Sequence, residues 1–307
     1  MEMIFIFLNI LLPIFILVGL GAWMHKAFEL NLYTLAKLNI YFLSPGFVLV
    51  RLYESSFSGD LLLNVLVFFG LFVISLYLLA QGISAIGGYS KGKKGVFTNS
   101  ILLFNSGNYG IPVNDLVFKQ DPFAMTVQVM VMTFQSVLAY SYGVFTLRAA
   151  DAGRLKALLG LLRMPVIWAM VLGLALNAAS VQVPVFLIKP GEYMADALIA
   201  IALLTLGAQV AQLTFKPKLF IVYVTLFARL IMGPVIGLII ITLLGYEGIL
   251  AQALFITSSV PTSVNSAIIA QEYRSEPELA AQIVMASTVF SMFTVTLTIY
   301  FSHILFG

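Results

Sequence analysis

Residues 104–113 read FNSGNYGIPV and residues 258–265 read SSVPTSVN, two polar, helix-breaking stretches set inside long apolar runs. Pro removes a backbone donor and clashes with the preceding turn, while Gly107 and Gly110 relax the chain, so a helix entering either stretch should break. Freed peptide groups are costly in hydrocarbon unless protein, water or a ligand satisfies them, so broken helices belong where they line a cavity. Pro112 and Pro261 suit the first turn of a following half-helix. Such a start carries roughly half a positive charge on its unpaired N–H groups and can hold an anion. Asn105, Asn108, Tyr109, Gly110, Asn114, Thr262, Ser263 and Asn265 would complete a polar, uncharged pocket there. The blander alternative is that Asn and Ser glue helices together and Pro and Gly only kink them. Two matched stretches favour a crossover with a function.

Outward from these stretches the chain is apolar. Eight runs of at least 19 residues carry no Asp, Glu, Lys or Arg: 3–25, 61–90, 95–114, 122–147, 164–188, 197–215, 248–271 and 279–307. A helix needs about 20 apolar residues to cross a bilayer core of about 30 Å. Two further segments hold one basic residue each, 31–50 with Lys37 and 219–246 with Arg229, which makes ten expected spans. Charged residues are 9% of the 307, against roughly 25% in soluble domains. That composition excludes a soluble enzyme, a disordered chain and a nucleic-acid binder, and the absence of Cys excludes a disulfide scaffold or thiolate metal site.

Lys and Arg fall unevenly among the connections. Lys26, Lys91, Lys93, Lys94, Arg148, Arg154, Lys156, Arg163, Lys216, Lys218 and Arg274 sit in the odd-numbered ones, and only Arg51, Lys119 and Lys189 in the even-numbered ones. Basic residues gather in cytoplasmic loops, so both termini are expected outside the plasma membrane. The leader carries Glu2 and its apolar run is too long for a signal core, so the first span is expected to stay.

The basic connection 148–163 separates a first five-span half, 1–147, from a second, 164–307. Five is odd, so any similarity between the halves implies that one is inverted. Pro13 and Gly21 match Pro165 and Gly173, Pro112 matches Pro261, and Gln128 and Thr133 match Gln282 and Ser287, at offsets of 149 to 154. An inverted repeat is therefore expected: an all-α polytopic membrane protein with broken, crossing spans 4 and 9.

The stretches FNSGNYGIPV (104–113) and SSVPTSVNSAIIAQEY (258–273) resemble the auxin efflux carrier family, whose bacterial members include malate and other organic-acid permeases. The similarity covers the whole chain, and Asn108-x-Gly110-Ile111-Pro112 is its most specific part. It implies ten helices in two inverted repeats of bile-acid-symporter type. Spans 1, 2, 6 and 7 would form a dimerising scaffold, and spans 3 to 5 with 8 to 10 a transport domain moving as an elevator. Asn108, Pro112 and Pro261 would sit at the crossing point. The short central loop departs from the plant hormone carriers and puts auxin itself in doubt.

Arg229 lies about 15 Å into its span at the helical rise, where an unpaired charge is costly. It is a candidate to attract a carboxylate, to hold a helix end, or to pair structurally. Asp115, three residues beyond Pro112, is a candidate to carry a coupling proton, but a surface pair with Lys119 is the expected role, and Lys37 is expected to snorkel to the interface. Gly87 to Lys93 mimics a phosphate loop, but Lys94 stands where a hydroxyl should hold magnesium. No catalytic constellation and no cofactor motif is present. The expected activity is a secondary carrier for a small organic anion, malate-like or auxin-like, with a proton or sodium as coupling ion. The rivals are a sodium-coupled symporter of bile-acid type and an anion channel.

Overall fold

A computed structural model describes residues 2–55, 58–143, 164–212 and 220–307. The basic connection expected over 148–163, and Lys216 and Lys218, lie outside the described residues. The described chain is helical, with one isolated β-bridge. We number its helical segments α1 (Glu2–Phe28), α2 (Leu32–Tyr53), α3 (Gly59–Ile86), α4 (Lys91–Leu102), α5 (Gly110–Phe118) and α6 (Pro122–Gly143). The second half continues with α7 (Pro165–Ala178), α8 (Val185–Ala211), α9 (Phe220–Leu244), α10 (Gly248–Ser259), α11 (Val264–Glu272) and α12 (Pro277–Phe306). Seven of them are long and apolar enough to cross a membrane, and α7 and α10 are shorter apolar helices.

Local sequence sets the helix starts. Asn31, Ser58 and Asp121 each turn a side-chain oxygen back to an N–H of the first turn, at 2.9, 3.1 and 2.9 Å, and so open α2, α3 and α6. Proline at the first turn of α6, α7 and α12 loses no needed donor. Four helices contain a widened π turn: Phe7–Leu11, Asn39–Leu43, Ala139–Gly143 and Phe227–Met232. Three of these run into Pro13, Pro45 or Pro234 within two residues, and a proline without an N–H breaks the regular ladder there.

Two groups of helices emerge. In the first, α8 lies against α1 and α2, and α7 lies against α2. Small residues permit the closest approaches: a Cβ on Gly207 would fall 1.9 Å from the Val18 carbonyl oxygen, and one on Gly21 2.2 Å from that of Leu204. Gly173 likewise brings α7 near the Leu49 carbonyl of α2, where a Cβ would stand at 2.9 Å. The second group gathers α3, α4, α6, α9, α10, α11 and α12. Its interior is aromatic, with Phe68, Phe72, Phe97 and Phe104 fully enclosed. The groups meet where α6 packs on α2 and α7, where α12 packs on α1, and where α5 reaches α1 and α8.

The outer surface is apolar in long stripes, including Leu20, Trp23, Leu78, Trp168 and Leu243, which a bilayer would cover and water would not. His303 Nδ1 stands 3.3 Å from a Glu2 carboxylate oxygen, so the start of α1 and the end of α12 lie together.

Candidate functional site at a double helix break

Both expected breaks are present. Helix α4 stops at Leu102 and α5 begins at Gly110; α10 stops at Ser259 and α11 begins at Val264. The two unwound segments cross and pair. Phe104 and Thr262 form an antiparallel bridge, with Asn105 N donating to the Pro261 carbonyl at 2.8 Å and Ser263 N to the Leu103 carbonyl at 2.7 Å. Each break thus satisfies backbone groups that the other has freed, which is what a water-poor surrounding demands.

Side chains complete the satisfaction. On α6, the Gln128 amide N–H donates to Ser106 O at 2.6 Å and its carbonyl accepts from the Thr257 hydroxyl of α10, so one residue ties the first break to the second half-helix pair. Gln135 Nε2 donates to Leu102 O at 3.0 Å. The Thr262 hydroxyl donates to Ser100 O at 2.8 Å, and Thr262 N donates to the Ser287 hydroxyl of α12 at 3.2 Å. Ser263 opens α11, its hydroxyl accepting from Asn265 N at 3.2 Å.

A cavity of about 90 Å³ lies beside this crossing. Asn105, Asn108, Ser263 and Asn265 line it from the breaks, Gln135 and Ser136 from α6, Asn39 and Ser44 from α2, and Thr205 and Gln209 from α8. Both helix groups therefore supply walls. Among the described lining residues none carries a charged side chain. The lining parts of α2, α6 and α8 are those nearest the end of the bundle that carries Lys26, Lys91, Lys93 and Lys94, and α11 lines the cavity with its first turns at the break.

Several buried polar atoms of the lining have no partner among the described residues: Asn39 Oδ1, Asn105 Nδ2, Gln135 Oε1 and Gln209 Oε1. Two of the amide orientations are fixed by their neighbours. The Thr205 hydroxyl donates to Ile201 O at 2.6 Å, so it can only accept from Asn39 Nδ2, 3.0 Å away, and Asn39 Oδ1 is left free. Gln135 spends its N–H on Leu102 O, which leaves its carbonyl oxygen free as well. The site thus combines the N-terminus of α11 and an amide N–H with unpaired carbonyl oxygens.

Of the residues singled out in the sequence, Asn105, Asn108, Ser263 and Asn265 reach the cavity, and Tyr109, Gly110, Pro112, Asn114, Pro261, Thr262 and Arg229 do not line it. Tyr109 is fully enclosed, its hydroxyl 2.9 Å from that of Ser291 and its ring edge-on to Phe15. Gly110 leaves room for Gln128, whose amide nitrogen would stand 2.4 Å from a Cβ there. Pro112 is buried in α5, and Asn114 is buried with neither amide atom partnered. Arg229 is fully enclosed: Nε donates to Val260 O at 2.9 Å, one Nη to Ser258 O at 2.6 Å, and the guanidinium lies 4.7 Å from the Phe104 ring centre. Of the roles open to it, the geometry is that of a helix-end clamp. The expected Asp115–Lys119 pair is absent: Lys119 ends α5 in a left-handed conformation, and Asp115 shares a pocket with Arg51 instead. Asn39, Gln135, Thr205 and Gln209 were not anticipated, although each is a polar residue in an otherwise apolar span.

The fold and the crossing define a polytopic membrane protein built around a double helix break. Residues 5–299 match the family model described as membrane transport protein, and the chain belongs to that family, which is of the auxin efflux carrier type. No curated protein matches the chain.

Proposed function

We propose that the protein is a secondary carrier for a small organic anion, working by alternating access with its substrate held in the crossing cavity. The observation that carries this reading is that the cavity's walls come from both helix groups and hold amides, hydroxyls and a helix N-terminus, with no fixed charge among the described residues. Such a site binds a carboxylate through peptide N–H groups and side-chain amides. It releases the ligand more readily than a buried salt bridge would, and it changes shape if one group slides on the other. The helices α1, α2, α7 and α8 serve in this reading as a scaffold and dimer interface, and the second group as the moving part of an elevator. Gly21 at the α1–α8 contact and Gly173 at the α7–α2 contact occupy matching places in the two halves, which supports an inverted repeat. The plasma membrane, with both termini outside, goes with the same reading, and the cavity then faces the cytoplasm.

In sodium-coupled carriers of related architecture, carbonyls at half-helix ends hold the ion. Here the Arg229 guanidinium donates to the Ser258 and Val260 carbonyls. We therefore take transport to be independent of sodium, with a proton or the membrane potential as the driving force. Counterflow of labelled carboxylates into liposomes tests the whole reading. Saturable uptake stimulated by internal substrate, equal in sodium and choline buffers, is expected. Ohmic single-channel currents would replace the carrier by a pore, and uptake only in sodium would restore the bile-acid type of symport.

A further inference from the structure

A second polar pocket, of about 100 Å³, lies on the far side of the crossing, lined by Arg51, Glu54, Asp115, Gln120, Pro122 and Met125. It sits between the end of α2 and the corner joining α5 to α6, at the end of the bundle away from the basic turns. The same helices join it to the crossing cavity. Helix α2 gives Ser44 to the cavity and Arg51 to the pocket, two turns or about 10 Å apart. Helix α6 gives Met132 to the one and Met125 to the other. Residues seven apart lie on nearly the same helix face, so the two spaces line one track. Phe47 and Val48, fully enclosed, fill the interval on α2.

The pocket holds unmatched charges. Arg51 lies 5.6 Å from the Phe47 ring centre, and its Nε is buried with no acceptor. Asp115 is half-buried and near enough to feel the charge of Arg51, yet the two form no ion pair among the described residues. A cationic donor therefore stands at the end of α2 with Glu54 three residues on beside it, and the carboxylate of Asp115 enters the same pocket from α5. The ligand that matches both kinds of group carries one carboxylate for Arg51 and one O–H or N–H for the acids. A second carboxylate on the ligand would meet two like charges. A pocket of this size has room for roughly three waters or one short-chain acid.

We propose that this pocket is an outer binding station for short-chain monocarboxylates bearing a hydroxyl or ammonium group beside the acid, and that it turns dicarboxylates away. The free Asn39 and Gln135 carbonyl oxygens in the crossing cavity call for the same donor-bearing acid, so one ligand fits both ends of the track. The place of the pocket on a path rests on the carrier reading; its occupancy does not.

Equilibrium dialysis of the purified full chain with labelled L-lactate, competed by acetate, L-alanine or malonate, tests it. To silence the crossing cavity, the measurement is made in an Asn105→Ala background, where lactate binding is expected to persist. Adding Arg51→Gln should weaken lactate at least tenfold, and adding Asp115→Asn should tighten malonate at least tenfold, a gain that misfolding cannot produce. Competition by alanine as strong as by lactate would make the donor an ammonium group, and weaker competition would make it a hydroxyl; either fits. The proposal is overturned if Asn105→Ala alone abolishes lactate binding, if Arg51→Gln changes nothing, or if acetate or malonate matches lactate. A failure of counterflow in liposomes would sink the carrier reading while leaving these binding results intact, so the two failures are distinguishable.

Discussion

The two helix breaks meet in one antiparallel crossing, yet they are held by different chemistry. The first spans residues 103–109 and is carried by neutral amides, with Gln128 on Ser106 and Gln135 on Leu102. It gives Asn105 and Asn108 to the cavity, and the Asn105 amide nitrogen is left unpaired. The second spans only 260–263 and is clamped by a buried cation, Arg229, with hydroxyls doing the rest. A charge-assisted clamp is roughly twice as strong as a neutral one. The second break is therefore the more firmly fixed partner, and the first is the one held by neutral groups alone. Removing a support should unfold the second break and blunt the first.

Arg229→Met should have the largest effect, because it leaves the Ser258 and Val260 carbonyls buried without donors. Each such orphan costs about 1–3 kcal/mol. The variant should melt well below the wild type in detergent, and Arg229→Lys should recover part of the loss. Wild-type melting in Arg229→Met would mean that the clamp is idle. Next come Asn105→Ala and Asn108→Ala, which should lower carboxylate uptake at least tenfold while the melting temperature moves little. Unchanged uptake in both would separate the first break from recognition. Pro261→Ala belongs with them, since the Pro261 carbonyl takes the Asn105 N–H and a restored N–H at 261 invites the helix to continue across the break. Transport should fail in a protein that still inserts.

Gln128→Leu should be milder in transport than the Asn105 change, and should cost about 1–3 kcal/mol in stability by freeing Ser106 O and the Thr257 hydroxyl. A neutral outcome would show that the breaks do not need α6 to hold them together. The smallest effect is expected of Thr205→Val. It removes the acceptor that orients Asn39, so carboxylate affinity should shift by less than tenfold with no loss of fold, as titration of purified protein would reveal.

The breaks themselves were legible in the sequence because proline and glycine act through local backbone chemistry, wherever the rest of the chain lies. Pro112 and Pro261 mark them to within a few residues. Asn105, Asn108, Ser263 and Asn265 were legible for the same reason: they are polar, and they sit at the breaks. Arg229 was legible as an anomaly but not in its role, since its partners are backbone carbonyls about thirty residues away, and carbonyls leave no trace in a sequence. Tyr109 and Thr262 occupy the same stretches as the lining residues, yet they turn into the packing between helices. Rotation about a helix axis or along an unwound segment decides that, and an unwound segment has no period to read.

The sequence alone determined that this chain lives in lipid and that two of its apolar runs are interrupted. Those properties follow from transfer free energies and from the bonding capacity of single residues, which hold regardless of neighbours. Tertiary structure alone decided that the two breaks pair with each other, that Asn39, Thr205 and Gln209 from distant helices close the cavity, and that Arg51 and Asp115 face a common space. These are contacts between residues far apart in the chain, fixed by which helix faces pack together, and packing depends on the shape of all the helices at once.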